Sequence, residues 1–256
     1  MIETTRLISM IVVMVSAILI MFSPFIIYRN DLKGVLKTYF TGAMVFFIGD
    51  SMIRYSVINM IQLDSVVLSI IVRSILSVII AILFRVFVLK GVLDKERKEV
   101  SQKTAIVLGL GHAAMESFIV AYQYLSHFTI ARAINDGTIY DFVSETLTRA
   151  QIDDAINILT QITNLDILGS LIILLFYVVI NIGFYMMLIK ALRTNSEKDF
   201  ALISVLYLTI ILSETILVNT NQPMIIRLVV LFVFSVLIMG TYIYKQFKQE
   251  DHHVKV

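Results

Sequence analysis

The chain contains no cysteine, which excludes disulfides, thiolate chemistry and thiolate metal sites. Its net charge of +2 over 256 residues is too small to indicate binding to nucleic acid. No stretch sustains the alternation of apolar and polar residues that is typical of strands, and there is no internal repeat or low-complexity segment. Hydrophobic residues, in contrast, make up 58% of the chain, and the mean hydropathy is +0.88. This composition predicts an all-α membrane protein that forms one domain over residues 1–256.

Seven apolar segments have the length of about 20 residues that an α-helix needs to cross a bilayer. The first has the position of a signal peptide. It has no basic start and no A-x-A cleavage site, however, so we expect a retained helix. The sequence therefore predicts a polytopic bundle of about seven transmembrane helices. The segments are Leu7–Tyr28, Tyr39–Met60, Ser65–Leu89, Thr104–Leu125, Ile167–Ile189, Phe200–Val218 and Met224–Tyr244.

Positively charged residues are concentrated in alternate connections between these segments. They follow the first, third and fifth segments and fill the C-terminal tail, whereas the other connections hold few. Because Lys and Arg favour cytoplasmic loops, this pattern predicts a plasma-membrane protein with its N-terminus outside and its C-terminus inside. The basic residues concerned are Arg29, Lys33, Lys37, Lys90, Lys95, Arg97, Lys98, Lys103, Lys190, Arg193, Lys198, Lys245, Lys248 and Lys255.

The longest connection, residues 126–166, is predicted to lie on the outer side. It is acidic, and apolar residues recur at helical spacing through its second half. Two interpretations are open: an amphipathic helix on the outer rim of the bundle, or a lid over a cavity within the membrane. The acidic residues are Asp136, Asp141, Glu145, Asp153, Asp154 and Asp166.

Two ionisable residues lie inside the fourth apolar segment, where each costs about 3 kcal/mol or more unless the fold solvates it. His112 and Glu116 are spaced i, i+4 and therefore share one face of a helix. A rise of about 1.5 Å per residue places Glu116 about 18 Å into the membrane, near its midplane. Asp50 of the second segment and Arg73 of the third are predicted at the same depth.

These positions predict one buried polar cluster at mid-depth. In it Asp50 pairs with Arg54, Arg73 pairs with Glu116, and His112 lies alongside. Interhelical ion pairs that only fix helix register are the alternative interpretation. A histidine beside a carboxylate differs from such pairs, because it titrates near neutral pH and can move protons.

Two further features concern the ends of the bundle. Arg85 lies close enough to the predicted inner surface for its side chain to snorkel to the headgroups. Glu214 and Arg227 are predicted to form a second ion pair near the outer surface.

A metal-binding site is a further interpretation of these residues. Catalytic zinc needs three protein ligands, and His112 with Glu116 supplies two. No other histidine lies at that depth, so Asp50 is the candidate third ligand for a divalent metal such as zinc.

The segment Gly109-Leu110-Gly111-His112, with Glu116, resembles the G-x-G-H-x-x-x-E signature of the YhfC family of bacterial intramembrane peptidases. That family is distantly allied to the membrane-embedded CAAX-processing and bacteriocin-processing (CPBP-type) proteases. Residues 40–47 and Arg54 are similar to the family's second helix. The resemblance implies a peptidase site containing Glu116, His112 and Arg85, in which a carboxylate activates water and histidines orient it or bind a metal.

The chain departs from the family in its third segment. The family's Glu-Glu-x-x-Arg element is represented by Arg85 alone, because Ala81 and Ile82 stand where the glutamates would be. The last three segments also contain no histidine. These departures favour a divergent, non-catalytic member that binds a membrane peptide or partner protein. The alternatives are an active metallo- or glutamic-type peptidase using Glu116 and His112, and a proton-coupled transporter, for which no inverted repeat supports the case.

Overall fold

The structure, a computed structural model, describes residues 1–96, 102–143 and 148–253, and contains helices but no strand over those residues. The all-α prediction is therefore confirmed. Short 3₁₀ (Arg29–Asp31) and π-helical (Val45–Arg54) segments interrupt the α-helices. The α-helices are α1 (Thr4–Ile27), α2 (Leu32–Met44), α3 (Tyr55–Asn59), α4 (Val66–Glu96), α5 (Gln102–Asn135), α6 (Ile139–Val143), α7 (Arg149–Gln161), α8 (Asn164–Thr194), α9 (Glu197–Asn219) and α10 (Met224–His253).

Among the residues that the structure describes, five helices are long and apolar enough to cross a membrane: α1, α4, α5, α8 and α9. The apolar part of α10, Met224–Gly240, is shorter. The second predicted segment is a succession of α2, the π-helical segment and α3. The helices thus support a membrane protein, while the count of seven spans and the orientation of the termini stay predictions. Some of the basic residues that predict the orientation, and one acidic residue of the outer segment, lie outside the described residues. They are Arg97, Lys98, Lys255 and Glu145.

Apolar side chains on the outside of the bundle agree with a lipid surround. Along α4, Ile79, Leu83 and Phe87 are 46%, 63% and 75% exposed. Their spacing of four residues forms one stripe along the helix. A stripe of large exposed apolar residues on a helix of this length is what a lipid-facing surface requires.

The helix ends show how local sequence sets the boundaries. Pro24 lies inside the last turn of α1 and has no N–H to donate to the carbonyl of Ile20. The Ser23 hydroxyl donates to that carbonyl at 2.7 Å, so α1 continues to Ile27. At the other side of the bundle, capping boxes of Thr148 with Gln151 and of Thr163 with Asp166 begin α7 and α8.

Beyond α1, Asp31 accepts a hydrogen bond from Lys103, which links the start of α2 to the start of α5. This hydrogen bond and the lysine charge lower the pKa of the Asp31 carboxyl below its ordinary value. The basic connections after the first and third segments are therefore joined at this end of the bundle.

The segment 126–166 is more helical than predicted. Its first ten residues extend α5 to Asn135, where Ala131 and Ala133 are buried in two separate apolar clusters. The Asn135 amide then bonds to the backbone of Ile2, accepting from N–H at 2.6 Å and donating to C=O at 2.9 Å. Helix α7 packs through Ile152 and Leu159 against this outer end of α5 and α1. The position of α7 agrees with a helix on the rim of the bundle.

Five helical elements surround the interior of the bundle. The π-helical segment packs against α4, α4 against α9, α9 against α8, α8 against α5, and α5 against the π-helical segment again. Helices α1 and α2 cover the far side of α5, and α10 covers α8. Asp50, Arg85, His112 and Glu116, four of the functional residues predicted from sequence, lie inside this five-membered ring.

Candidate functional site

Close helix contacts bring α5 into the centre of the bundle. Gly111 lies against the backbone of α2, where an added Cβ would be 2.0 Å from the carbonyl oxygen of Tyr39. Gly42 of α2 makes the reciprocal contact, with an added Cβ at 2.1 Å from the carbonyl oxygen of Leu108. Gly109 meets the backbone of α8 at Ile182 in the same way. The glycines before His112 therefore serve close helix approach, as small residues do at helix interfaces in membrane proteins.

The π-helical segment places Asp50 in the interior. Short π-helical stretches are rare and occur frequently at functional sites. Gly49 lets this segment approach α4, because an added Cβ there would lie 2.4 Å from Cδ1 of Phe84. Asp50 is consequently buried, with 3% of its side chain exposed.

Arg85 is the centre of the polar cluster. Its Nη2 donates to Oδ2 of Asp50 at 3.0 Å and contacts Nε2 of His112 at 3.1 Å. Its Nη1 donates to the carbonyl oxygen of Ala81 at 3.2 Å, and the guanidinium lies 5.1 Å from the ring centre of Tyr207. The prediction that Arg85 snorkels to the inner surface is wrong, because only 3% of its side chain is exposed. The helix continues to Glu96, about three turns beyond Arg85, which leaves the residue inside the bundle.

The contact with Arg85 defines the role of His112. A guanidinium has donors only, so Nε2 of His112 acts as the acceptor in this contact. The same nitrogen lies 3.3 Å from Oδ2 of Asp50 and 3.8 Å from Oε1 of Glu116. The imidazole is held edge-on by two rings, with centroid separations of 5.1 Å to Phe46 and 6.1 Å to Tyr185. His112 is therefore fixed in orientation, and its nitrogen nearest the carboxylates is engaged by an arginine.

Glu116 has a different partner from the predicted one. Its Oε2 accepts a hydrogen bond from Nδ2 of Asn181 on α8 at 3.0 Å. Arg73 lies away from the cluster and donates through Nη2 to the carbonyl oxygen of Ile61 at 2.8 Å. The structure thus does not bring Arg73 and Glu116 together. Arg73 instead ties the connection between α3 and α4 to its own helix.

The other predicted pairs are present. Arg54 Nη1 lies 3.6 Å from Oδ1 of Asp50, and 30% of the arginine side chain is exposed. Arg227 Nη2 donates to Oε2 of Glu214 at 2.9 Å. Four ionisable residues of the cluster, Asp50, Glu116, Arg54 and Arg85, have balanced formal charges, as buried ion networks require.

A cavity of about 370 Å³ lies on one side of this cluster. This volume falls within the range of small-ligand pockets, about 300–1,000 Å³. Tyr55 lines the cavity and is 67% exposed, so the cavity reaches the surface beside α3. Within the described residues, Arg85 and Arg227 contact wall carboxylates without lining the cavity themselves. The wall consists of Phe46, Asp50, Arg54, Tyr55, Ile58, Ser77, His112, Glu116, Tyr177, Ile180, Asn181, Tyr207, Ile210, Ile211, Glu214 and Thr215.

The cavity lining distinguishes between the two interpretations of residues 126–166, the segment that contains α7. No residue of α7 is among the lining residues, within the described part of the chain. The lid interpretation has no support from this arrangement, whereas packing on the rim does.

The residues do not fit a divalent metal. In the described part of the chain, no three histidine or carboxylate side chains are arranged to hold a metal ion. Nη2 of Arg85 occupies the space between Asp50 and His112, the position that a cation bound to both would take. Because arginine keeps its positive charge, it would repel a dication there.

Tyr177 is a wall residue that the sequence did not identify, and Asn181 was noted there only as a polar residue of a late helix. Tyr177 lies one turn before Asn181 on α8, and both contribute to the wall facing Glu116. Their i, i+4 spacing in an apolar helix is the signal that could have indicated a polar face. Tyr185, two turns after Tyr177 on the same helix, packs on His112 from behind the wall.

Comparisons of the chain with known protein families, with curated proteins and with solved structures found no match. The resemblance to the YhfC intramembrane peptidases therefore stays a prediction from the sequence.

Proposed function

We propose that this chain is an integral membrane protein whose interior cavity binds a polar segment of a membrane peptide or partner protein without cleaving it. The observation that carries the proposal is a ligand-sized cavity inside an apolar bundle, with Asp50, His112, Glu116 and Asn181 on its wall. A polar segment at membrane depth has no water to solvate it. The wall supplies hydrogen-bonding groups that lipid lacks.

The position of the cavity mouth supports access from the outer side. Ile58 and Thr215 line the cavity within about one turn of the ends of α3 and α9. Both helices end at short connections with no lysine or arginine, Met60–Ser65 and Thr220–Pro223. Under the orientation predicted from basic residues, these connections lie outside.

The geometry of His112 favours binding over catalysis. A general base needs a free nitrogen within hydrogen-bond reach of the proton that it removes. Nε2 of His112 instead accepts from Arg85 at 3.1 Å. His112 with Glu116 is therefore not a free acid–base pair in this arrangement.

Peptide hydrolysis is the second candidate, because one observation favours it. Glu116 lies on the cavity wall, and Asn181 orients its carboxylate through Oε2. A carboxylate oriented in this way can activate a water molecule without help from His112. In that case Glu116→Gln would abolish a cleavage product that wild-type protein forms from a membrane peptide.

We expect a photo-reactive phenylalanine analogue, p-benzoylphenylalanine, at Tyr177 to form a discrete protein adduct in the membranes of the producing organism. Tyr177 faces the cavity, and the replacement keeps an aromatic side chain. The matched control is the same analogue at Phe118, which is 50% exposed on α5, two residues after Glu116. The measurement is the set of cross-linked bands and their loss in a Glu116→Gln background.

Binding in the cavity predicts an adduct from position 177, none from 118, and loss of the adduct with Glu116→Gln. Equal adducts from both positions, or an adduct unaffected by Glu116→Gln, would contradict it. A shortened adduct that becomes full length with Glu116→Gln would establish hydrolysis instead.

A further inference from the structure

The formal charges around the cavity cancel. His112 adds none, because its Nε2 accepts from Arg85 and a charged imidazole has no acceptor nitrogen. A group that carried a net charge into the cavity would find no opposite charge left to pair with it, and an unpaired buried charge is costly. The balance therefore favours an uncharged ligand. Within the described residues, the charged groups that line the cavity or contact its wall carboxylates are Asp50, Glu116 and Glu214, with Arg54, Arg85 and Arg227.

Two charged residues of the wall keep accessible atoms without a partner. Arg54 donates no hydrogen bond to a described residue, and none of its nitrogens is fully buried. Its contact of 3.6 Å with Oδ1 of Asp50 is beyond hydrogen-bond distance. Oε1 of Glu116, 3.8 Å from Nε2 of His112, also has no hydrogen bond to a described residue and is not fully buried. The wall thus offers donors at Arg54 and an acceptor at Glu116.

Asn181 supplies a second acceptor to the cavity. The residue is only 4% exposed, and its Nδ2 donates to Oε2 of Glu116 at 3.0 Å. Its Oδ1 has no hydrogen bond to a described residue, yet it keeps accessible surface on the cavity wall. Polar groups of residues as buried as this one are normally paired, because an unmet hydrogen bond destabilises the fold. An unpaired oxygen that opens on a cavity indicates a ligand that brings a donor.

The three residues with unengaged atoms belong to one stretch of the wall. Glu116 and Asn181 are joined by their hydrogen bond, so the free oxygens of the two side chains are neighbours. Asp50 lies 3.6 Å from Arg54 and 3.3 Å from His112. His112 in turn lies 3.8 Å from Glu116. A continuous series of contacts therefore connects the donors of Arg54 with the two acceptors.

We propose that the cavity binds a primary carboxamide, the side-chain group of asparagine or glutamine, in a membrane peptide. The proposal rests on the proposed binding function and adds the chemical class of the bound group. A primary carboxamide has no charge, one acceptor oxygen and two N–H donors. Its oxygen accepts from Arg54, and its N–H groups donate to Oε1 of Glu116 and Oδ1 of Asn181. An asparagine or glutamine in an apolar segment needs such partners, because lipid offers none.

The absence of native tryptophan allows binding to be measured in the intact chain. Tyr177→Trp places one fluorophore on the cavity wall, and Tyr122→Trp places one on the outside of α5, where Tyr122 is 65% exposed. Both variants are titrated in lipid nanodiscs with N-dodecanoyl glycinamide. The matched probes are N-dodecanoyl glycine, its methyl ester and N-dodecanoyl ethylenediamine, which end in a carboxylate, an uncharged ester and an ammonium. The measured quantity is the change in emission at position 177 beyond that at position 122.

We expect the glycinamide to bind about tenfold or more tightly than each other probe, because the ester has no terminal N–H and the other two bring an unpaired charge. Arg54→Gln leaves one negative charge in excess and should shift the order of the two charged probes towards the ammonium. Glu116→Gln leaves one positive charge in excess and should shift it towards the carboxylate. Arg54 is partly exposed, so its variant keeps the test available if Glu116→Gln does not fold.

A charged probe or the ester that bound as tightly as the glycinamide would overturn the carboxamide ligand while leaving the binding function intact. An unchanged order of the charged probes in the folded variants would overturn it as well. If no probe changed the emission at position 177 more than at position 122, this inference would fail, and the cross-linked adduct from position 177 would test the binding function separately.

Discussion

Replacing Arg85 with methionine is expected to lower the free energy of unfolding by about 3–5 kcal/mol, the usual cost of removing one partner from a buried ion pair. Asp50 would keep the 3.6 Å contact with the partly exposed Arg54 and the 3.3 Å contact with Nε2 of His112, and would lose its one hydrogen bond to a fully buried cation. His112 would lose its donor at Nε2, and the carbonyl of Ala81 would lose a hydrogen bond at 3.2 Å. The loss can be measured as the shift in the unfolding equilibrium in mixed detergent micelles.

The control for this prediction is Arg73→Met on the same helix. Arg73 donates to one backbone carbonyl, at Ile61, so its removal should cost about 2 kcal/mol. The double variant Arg85→Met with Asp50→Asn should recover part of the stability, because no charge is then left buried and unpaired. Equal effects of Arg85→Met and Arg73→Met would show that Arg85 is not the centre of a buried network.

Gly111→Ala is expected to destabilise the protein by about 3 kcal/mol, at the upper end of the range for overpacking. The added Cβ would lie 2.0 Å from the carbonyl oxygen of Tyr39 and 3.1 Å from the amide nitrogen of Ala43. These are backbone atoms of α2, so relief requires the two helices to separate. Separation would also move His112 relative to Phe46, whose rings are 5.1 Å apart.

Gly240→Ala is the matched control for Gly111→Ala. Gly240 lies in α10, and no atom of the described residues is within 4 Å of an added Cβ. Alanine there should be neutral or stabilising by about 0.5–1 kcal/mol, because glycine is the poorer helix former. The comparison is made by thermal unfolding of both variants in the same detergent. A Gly111→Ala protein as stable as Gly240→Ala would exclude the close contact between α2 and α5.

The fold class was predictable because long apolar segments in lipid have few alternatives to helices. Segment boundaries were less predictable. The hydropathy of the second segment does not distinguish an α-helix from the π-helical stretch Val45–Arg54, since both satisfy the backbone within one apolar segment. The end of α5 was predicted at Leu125, whereas the helix continues to Asn135 by packing against α1 and α7.

The pairs predicted from local spacing are present, and so is the pair of Glu214 with Arg227 between α9 and α10, whereas the pairing of Arg73 with Glu116 was predicted incorrectly. Spacing of i, i+4 identified Asp50 with Arg54 and His112 with Glu116. Depth alone, however, assigned Arg73 to Glu116. Arg73 and Arg85 are twelve residues apart on α4. At 3.6 residues per turn, their side chains point in directions about 120° apart around the helix axis. Because α4 is apolar on every side, its sequence does not reveal which of the two faces the interior.

The central claim is a water-accessible cavity inside the lipid-embedded bundle, and accessibility along α4 tests it most directly. Ser77 lines the cavity, whereas Ile75 and Ile79, 41% and 46% exposed on the outside of the bundle, belong to the surface assigned to lipid. All three lie within about 3 Å of the same depth. In liposomes of the cysteine-free protein, we expect a membrane-impermeant maleimide added outside to label Ser77→Cys while Ile75→Cys and Ile79→Cys stay unlabelled. Labelling of Ile75→Cys or Ile79→Cys as fast as Ser77→Cys, or no labelling of Ser77→Cys, would contradict the cavity.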